Sequence, residues 1–268
     1  MTYIATPIDR MSEEYDVVVV GSGYGGAINA SRLARAGLKV CLLERGDERQ
    51  PGDFPEGPLE AMREVQMDFA NRRMGASNAL YDFHVNPDIS VLVGCGLGGT
   101  SLINANVAIL PDERVWLDPK WPDAIRADRE TRFAAGVSHA REMLRPMSFP
   151  ADVTQPHKLQ AMTRSARHMG APVFQPPITV SFKDGINHVG IEQHACNNCG
   201  NCVGGCNVGA KNTLLMNYLP DAHNHGAEIF TGCSVRRVER KGKRWLVRFE
   251  VHGSEMRKFG ASSMFVGA

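Results

Sequence analysis

The chain has 268 residues, with 30 basic and 29 acidic side chains and a formal net charge of +1. That balance leaves no polybasic surface to suggest nucleic acid or anionic lipid as a partner, and the 43 % hydrophobic content is that of a soluble globular protein of one large or two smaller domains. Residues 1–15 are polar and mixed, Val17–Val20 is too short for a secretory core, and no run approaches the ~20 apolar residues of a membrane helix. The expectation is a cytoplasmic protein without an integral membrane segment.

Tyr15-Asp-Val-Val-Val-Val20 reads as a buried parallel strand, β-branched and without polar alternation. Gly21-Ser-Gly-Tyr-Gly-Gly26 follows at once. Ala27, Ile28, Ala30, Leu33 and Ala34 then space out one helix face, and Gly37 stops it. Leu38–Leu43 is a second strand closed by Glu44. This order suits a dinucleotide. Gly21 permits the tight turn, Gly23 lets the backbone reach a pyrophosphate, and Gly26 allows close helix–strand packing. The helix N-terminus holds the phosphate charge. Glu44, 18 residues after Gly26, is placed to accept from a ribose diol, which argues against NADP, although Arg45 adjoins it. The fingerprint alone does not separate FAD from NAD.

Residues 50–90 begin as loop, and 59–73 is a candidate helix; Tyr81, Phe83 and His84 precede a second glycine cluster, Val93-Gly-Cys-Gly-Leu-Gly-Gly-Thr-Ser-Leu-Ile-Asn-Ala-Asn106. Glycines there let a planar ring and a diphosphate lie against bare backbone amides. Asp128–Leu144 reads as an amphipathic helix ended near Pro146, and Lys158–Met169 as another ended by Gly170. Ile178–Phe182 reads as a short strand. Trp116 and Trp121 are expected to pack this middle region. Arg240–Glu250 alternates, with Trp245, Val247 and Phe249 on one face, as half of a β-meander.

Four of the seven cysteines, Cys196, Cys199, Cys202 and Cys206, fall within eleven residues. The spacing Cys-x2-Cys-x2-Cys-x3-Cys equals a bacterial ferredoxin run, with Asn207 where proline is usual. It admits an iron–sulfur cluster with Cys206 or Cys233 as fourth ligand, reduced thiols in a structural loop, or zinc, the last needing a longer loop between its ligand pairs. A cluster would relay electrons from the cofactor, making the protein a dehydrogenase. His188 and His194 flank the loop and suit surface or capping roles better than ligation. His223 and His225 suit a helix C-terminus. Cys41, inside the second strand, reads as a packed core thiol.

The second glycine cluster resembles the flavin-covering signature of the glucose–methanol–choline (GMC) oxidoreductases, cholesterol-oxidase-like branch. Lys211-Asn-Thr-Leu-Leu-Met-Asn-Tyr-Leu219 and Gly226–Arg236 resemble two further family segments, the re-entry into the FAD domain and the adenine-side strand. The resemblance covers nearly the whole chain. It implies FAD as cofactor and an α/β fold: a Rossmann-type FAD-binding domain of three layers (ββα), with an inserted part of an α+β substrate domain. The implied division is 1–110 for the first part of the FAD domain, 111–187 for the insert, and 188–268 for the cysteine loop and the return. Gly94, Gly98, Gly99, Ser101 and Asn104 are the implied flavin contacts, and Val235 the implied backbone contact to adenine. Relatives with a similar cysteine loop are described as flavoproteins only.

The family takes a hydride from an alcohol or sterol carbon onto flavin N5 while a histidine takes the proton; sterol would place the protein in steroid metabolism. That histidine is expected beyond residue 268. Ser263–Ala268 resembles the apolar strand and first glycine of the family's next motif, so a fragment is expected, with a partner chain as one source of the rest. Two other readings stay open: a flavin/iron–sulfur dehydrogenase subunit, and an inactive nucleotide-binding fragment.

Overall fold

Val17–Val20 cannot sit at a sheet edge, because both faces of the run are apolar. In the computed structural model, which describes residues 2–69, 72–252 and, as backbone, 257–266, strand β1 (Glu14–Val20) lies inside a six-stranded sheet. The turn at residues 21–23 leads to helix α1 (Tyr24–Arg35), and Gly37, at φ +82°, reverses the chain into β2 (Val40–Leu43). β2 runs parallel to β1, Val17 opposite Val40 and Val20 opposite Leu43.

The next segment departs from expectation. Residues 59–73 do not form one helix: α2 (Pro58–Arg63) stops after six residues and gives way to β3 (Val65–Phe69) and β4 (Arg72–Met74). With β5 (Tyr81–His84) and β6 (Val91–Gly94) they form a second sheet of order β4-β3-β5-β6. The reason is tertiary. Gln66 is fully buried, donates to Ala79 O at 2.6 Å and accepts from Arg45 and Arg73, which a continuing helix could not arrange.

The middle region follows as α3 (Glu113–Leu117), α4 (Asp123–Ala127), α5 (Ala134–Leu144) and α6 (His157–His168). None of these helices contains a buried residue. The expected helix over 128–144 is interrupted: Arg129–Phe133 is a π-helical stretch in which Phe133 N–H reaches back to Asp128 O. Trp116 packs edge-on against Phe133 at 4.4 Å between ring centroids, and Trp121 stacks on Trp116 at 6.0 Å. Ile178–Phe182 is not a strand. It makes isolated bridges, Ile178 to Val107 and Met147, and Val180 to Lys211. Following Pro176-Pro177, it serves three neighbours instead of one ladder.

A two-residue pair, β7 (Gly185–Ile186) and β8 (Glu192–Gln193), precedes the cysteine loop. Then come α7 (Tyr218–Asn224), β9 (Glu228–Phe230), β10 (Cys233–Lys241), β11 (Arg244–Val251) and β12 (Arg257–Val266). The main sheet has the order β10-β11-β12-β1-β2-β9. β12, β1, β2 and β9 are parallel, while β10-β11-β12 is the antiparallel meander. The expected strand near the C-terminus is therefore present beside β1; Gly267, the glycine expected after it, lies outside the described residues.

Both faces of the parallel strands are covered. Val17, Val19, Val40 and Leu42 pack with Ala27, Ala30 and Ala34 of α1 and with Leu219 and Ala222 of α7. Val18, Cys41 and Leu43 pack with Val247 and Phe249 of the meander. Each buried Val, Leu or Phe among them contributes roughly 1.5–3 kcal/mol by leaving water. The two helices are also tied by charge. Buried Asp221 accepts from Ser31 Oγ at 2.6 Å and Arg35 Nε at 2.8 Å. Burial pushes its carboxyl up, but Arg35 and Ser31 prevail and hold it low. Among the described residues no helix is long and apolar enough to cross a membrane.

Candidate functional site

The C-terminal ends of β1 and β2 open onto a cavity of about 590 Å³. Its floor is the first glycine turn. Gly21 sits at φ +88° and its N–H bonds Leu43 O at 2.8 Å. Gly23 is the N-cap of α1 and offers no capping side chain, so the first-turn N–H groups are left for a ligand. Gly26 lies beneath the turn: a Cβ there would stand 1.9 Å from Gly21 O.

The second glycine loop closes the cavity from above. Gly99, at φ +54°, comes so near that a Cβ would meet Gly23 Cα at 2.9 Å, and a Cβ on Gly94 would meet Gly99 O at 2.6 Å. The cradle therefore consists of backbone on both sides, which is the surface a diphosphate needs. Of the residues expected from sequence, Gly21, Gly23, Glu44, Gly94, Gly99 and Val235 line this cavity. Gly26, Gly98 and Ser101 brace its walls: Gly98 adopts φ +110°, and Ser101 Oγ donates to Gly98 O at 2.7 Å while accepting Leu214 N–H at 3.1 Å.

Glu44 already has partners from the chain. Oε2 accepts Ser22 N–H at 3.0 Å and Ser22 Oγ–H at 2.5 Å, and Oε1 accepts Gly46 N–H at 2.8 Å. An ionised carboxylate has about four acceptor positions, so capacity for a ribose hydroxyl remains. Ser22 is the member that sequence reading passed over. Its Oγ also accepts Gly98 N–H at 2.9 Å, joining Glu44 to the second loop. A small hydroxyl residue inside the Gly-x-Gly turn is the only local sign of that role. Gly46 was missed likewise: a Cβ there would meet Gly96 N at 2.3 Å, so its bareness lets the second loop approach.

A charged group stands on the cavity wall from the second sheet. Asp82, 1 % exposed, accepts from Arg45 Nη2 at 2.6 Å, with Arg73 and His84 each at 3.4 Å. Arg45 also donates to Gln66 Oε1 and Ser77 O. Its guanidinium is thus committed to the protein.

Asn104 lies apart from the main cavity, in an adjoining one of about 320 Å³. Its Nδ2 donates to Tyr24 OH at 2.8 Å. Tyr24 borders both cavities. Burial raises the Tyr24 hydroxyl pKa while the Asn104 bond opposes that rise. Beyond this pair the lining is mostly apolar, with Val107, Ile109 and Leu110 facing Val137 and Leu144 of α5.

An iron–sulfur cluster in the cysteine loop is not supported. Among the described residues no group of three or more His, Cys, Asp or Glu side chains is arranged to hold a metal ion. Cys196, Cys199, Cys202 and Cys206 are free thiols of graded exposure, and burial pushes Cys196 and Cys202 up. The proposed remote ligand Cys233 is in the core with Cys41 and Phe249. Burial raises the Cys41 thiol strongly, as a packed core cysteine requires. The loop is instead held by polar contacts. Asn207 accepts Gly52 N–H at 2.9 Å and Phe54 N–H at 3.1 Å and donates to Phe54 O at 2.9 Å. Buried Lys211 donates to Cys202 O at 2.9 Å. Burial lowers its ammonium to about 8, against the favourable field of Cys202 and Cys206. His194 pairs with exposed Asp184 at 3.5 Å, and His225 sits at the C-terminus of α7 with Nδ1 against Asp221 O.

The family pattern described as GMC oxidoreductase matches residues 15–266. The chain is 28 % identical to a cholesterol oxidase of Mycobacterium tuberculosis (strain ATCC 25618 / H37Rv) over 262 residues, 92 % of this chain and 44 % of that protein. It is 28 % identical to a cholesterol oxidase of Acinetobacter baumannii over 239 residues, 83 % of this chain and 41 % of that protein. With the long-chain-alcohol oxidase FAO3 of Arabidopsis thaliana it shares 30 % identity over 250 residues, 88 % of this chain and 29 % of that protein. The chain thus spans less than half the length of these curated relatives.

Proposed function

The chain belongs to the GMC oxidoreductase family, and from that premise we propose that it is the FAD-holding part of an oxidoreductase acting on the CH–OH group of an alcohol or sterol. One observation carries the reading: two glycine segments, far apart in sequence, meet as bare backbone around one cavity that ends at a ribose-competent acid. We assign residues 1–110 and 188–268 to a Rossmann-type FAD domain and 111–187 to the substrate-domain insert.

Bound FAD supplies the hydride acceptor. The chain's own residues hold it. The N-terminus of α1 faces the pyrophosphate and offsets its charge. Glu44 accepts from the adenosine ribose, and the Val235 backbone borders the adenine. Gly94 and Gly99 keep side chains out of the cofactor's path. Arg45 is bound to Asp82 and so is not free to take a 2′-phosphate. Tyr24 stands between the two cavities with Asn104 hydrogen-bonded to it, and the apolar lining of the second suits the carbon skeleton of the substrate. That relatives carry the names cholesterol oxidase and long-chain-alcohol oxidase supports the CH–OH donor class. The proton-accepting base is assigned to no residue of this chain.

Purification followed by heat release and chromatography of any bound flavin tests the reading. FAD at close to one per chain is expected. Purified, folded protein that carries no flavin and takes up none from added FAD would sink it. Alcohol- or sterol-dependent bleaching of the flavin band then tests the donor class.

A further inference from the structure

Lys211 is an unusual side chain to bury. It is 2 % exposed, and among the described residues its Nζ touches no carboxylate. Its three N–H bonds go to three main-chain carbonyls: Leu102 O at 3.1 Å, Asn104 O at 2.6 Å and Cys202 O at 2.9 Å. An ammonium has three donors, and all are used. Hydrogen bonds from a charged donor are about twice as strong as neutral ones, which offsets the cost of taking the charge out of water.

Those acceptors come from two segments, and among the described residues no other side-chain hydrogen bond joins them. Leu102 and Asn104 end the second glycine loop; Cys202 is in the cysteine loop. Asn104 is held at both ends. Its carbonyl is fixed by Lys211, while its side chain donates to Tyr24 OH and accepts Asn106 N–H at 3.1 Å. Lys211 is itself anchored through the Val180 bridge and through Asn212, whose Nδ2 donates to Leu144 O at 3.0 Å.

We propose that Lys211 is a positioning residue: through the Leu102 and Asn104 carbonyls it sets the Asn104 side chain against Tyr24 at the junction of the two cavities, and the cysteine loop serves to complete its carbonyl cage. The cysteine loop then has a task that needs its backbone and no metal. For its effect on flavin binding the inference rests on the FAD reading; for the Asn104–Tyr24 contact it does not.

The test has two arms. In the ligand-free full chain, the Asn104 side-chain amide signal, identified by its loss in Asn104→Ala, is followed by two-dimensional NMR. Lys211→Met is expected to shift it clearly, because the carbonyl that orients it is released. An unmoved signal overturns the proposal whatever the protein binds. In the second arm, dissociation constants for FAD and for ADP are compared. Lys211→Met is expected to weaken FAD at least tenfold and leave ADP within twofold, since ADP engages the first glycine turn and not Asn104. Equal weakening of both ligands would show a merely structural role and overturn the positioning claim. The double variant with Asn104→Ala is expected to lose no more FAD affinity than the worse single variant; additive losses overturn the route through Asn104. Failure of the wild type to bind FAD, with the amide shift present, would break the flavin reading and leave the Lys211–Asn104 contact standing. If Lys211→Met does not fold, Lys211→Gln, which keeps two N–H donors, carries the same measurements.

Discussion

The two glycine segments that meet at the cavity are held in different ways. Gly21–Gly26 is held by its own neighbours in sequence, with β1 before it, α1 after it and Leu43 O taking the Gly21 N–H. Residues 93–106 make a turn of their own, with Gly99 N–H on Gly96 O at 2.8 Å and Asn104 N–H on Thr100 O at 2.9 Å, but they are also tied at many points to distant parts of the chain. Leu97 N–H bonds Asp47 O, Gly98 N–H bonds Ser22 Oγ, Ser101 Oγ takes Leu214 N–H, and Lys211 takes two carbonyls. A local turn survives wherever its strand and helix form. A loop tied at many points from outside takes its final place only when distant parts of the chain have arrived.

The largest effect should come from the local turn. Gly26→Val places a branched side chain where even a Cβ would be 1.9 Å from Gly21 O. A loss of more than about 3 kcal/mol is expected, read by chemical denaturation, or no folded protein at all. Tolerance of valine there would break the contrast, since the turn would then be adaptable.

Ser22→Ala attacks the link between the segments. It removes the acceptor of a buried Gly98 N–H and one donor to Glu44. A loss of about 1–3 kcal/mol is expected, accompanied by weaker binding of FAD. A loss of stability with FAD affinity untouched would mean that the second loop does not need the first.

Cys95, buried in the second loop, reports the loop's packing through pH. Burial raises its thiol from 9.0 to about 11. Between those values the unfolded chain gives up the proton while the folded one keeps it, so the unfolded state binds fewer protons and stability falls as pH rises. The slope assigned to this group is about 1.4 kcal/mol per pH unit. Subtracting the stability curve of Cys95→Ala from that of the wild type cancels the other titrating groups; a flat difference from pH 9 to 11 would mean the loop opens to solvent.

The smallest effect is expected at Cys199, which is exposed. Cys199→Ser should change stability by less than about 0.5 kcal/mol and leave bound flavin unchanged. Iron measured on the same samples completes the comparison. Iron in the wild type that is lost in the variant would overturn the carbonyl-cage account of the loop and restore the ferredoxin-like one.

The sequence alone carried the first half of the site. The β-branched run, the glycine spacing and the acid closing the second strand all act over a few residues, so β1, the turn, α1, β2 and Glu44 could be placed from their order, as could the meander and α6. It also carried the glycine content of the second loop, though not what holds that loop. Tertiary structure decided the remainder. Val65–Phe69 and Arg72–Met74 became strands because buried Gln66 and the pairing of β3 with β5 outweighed a helical pattern. Ferredoxin-like spacing in the cysteine loop did not, among the described residues, arrange three or more thiols to hold a metal ion, and Cys233 lies in the core. Ser22, Gly46 and Lys211 acquire their roles mainly through partners tens of residues away. A short-range pattern records which conformations the backbone prefers; which distant carbonyl a buried ammonium meets is settled when the packed layers bring the two together.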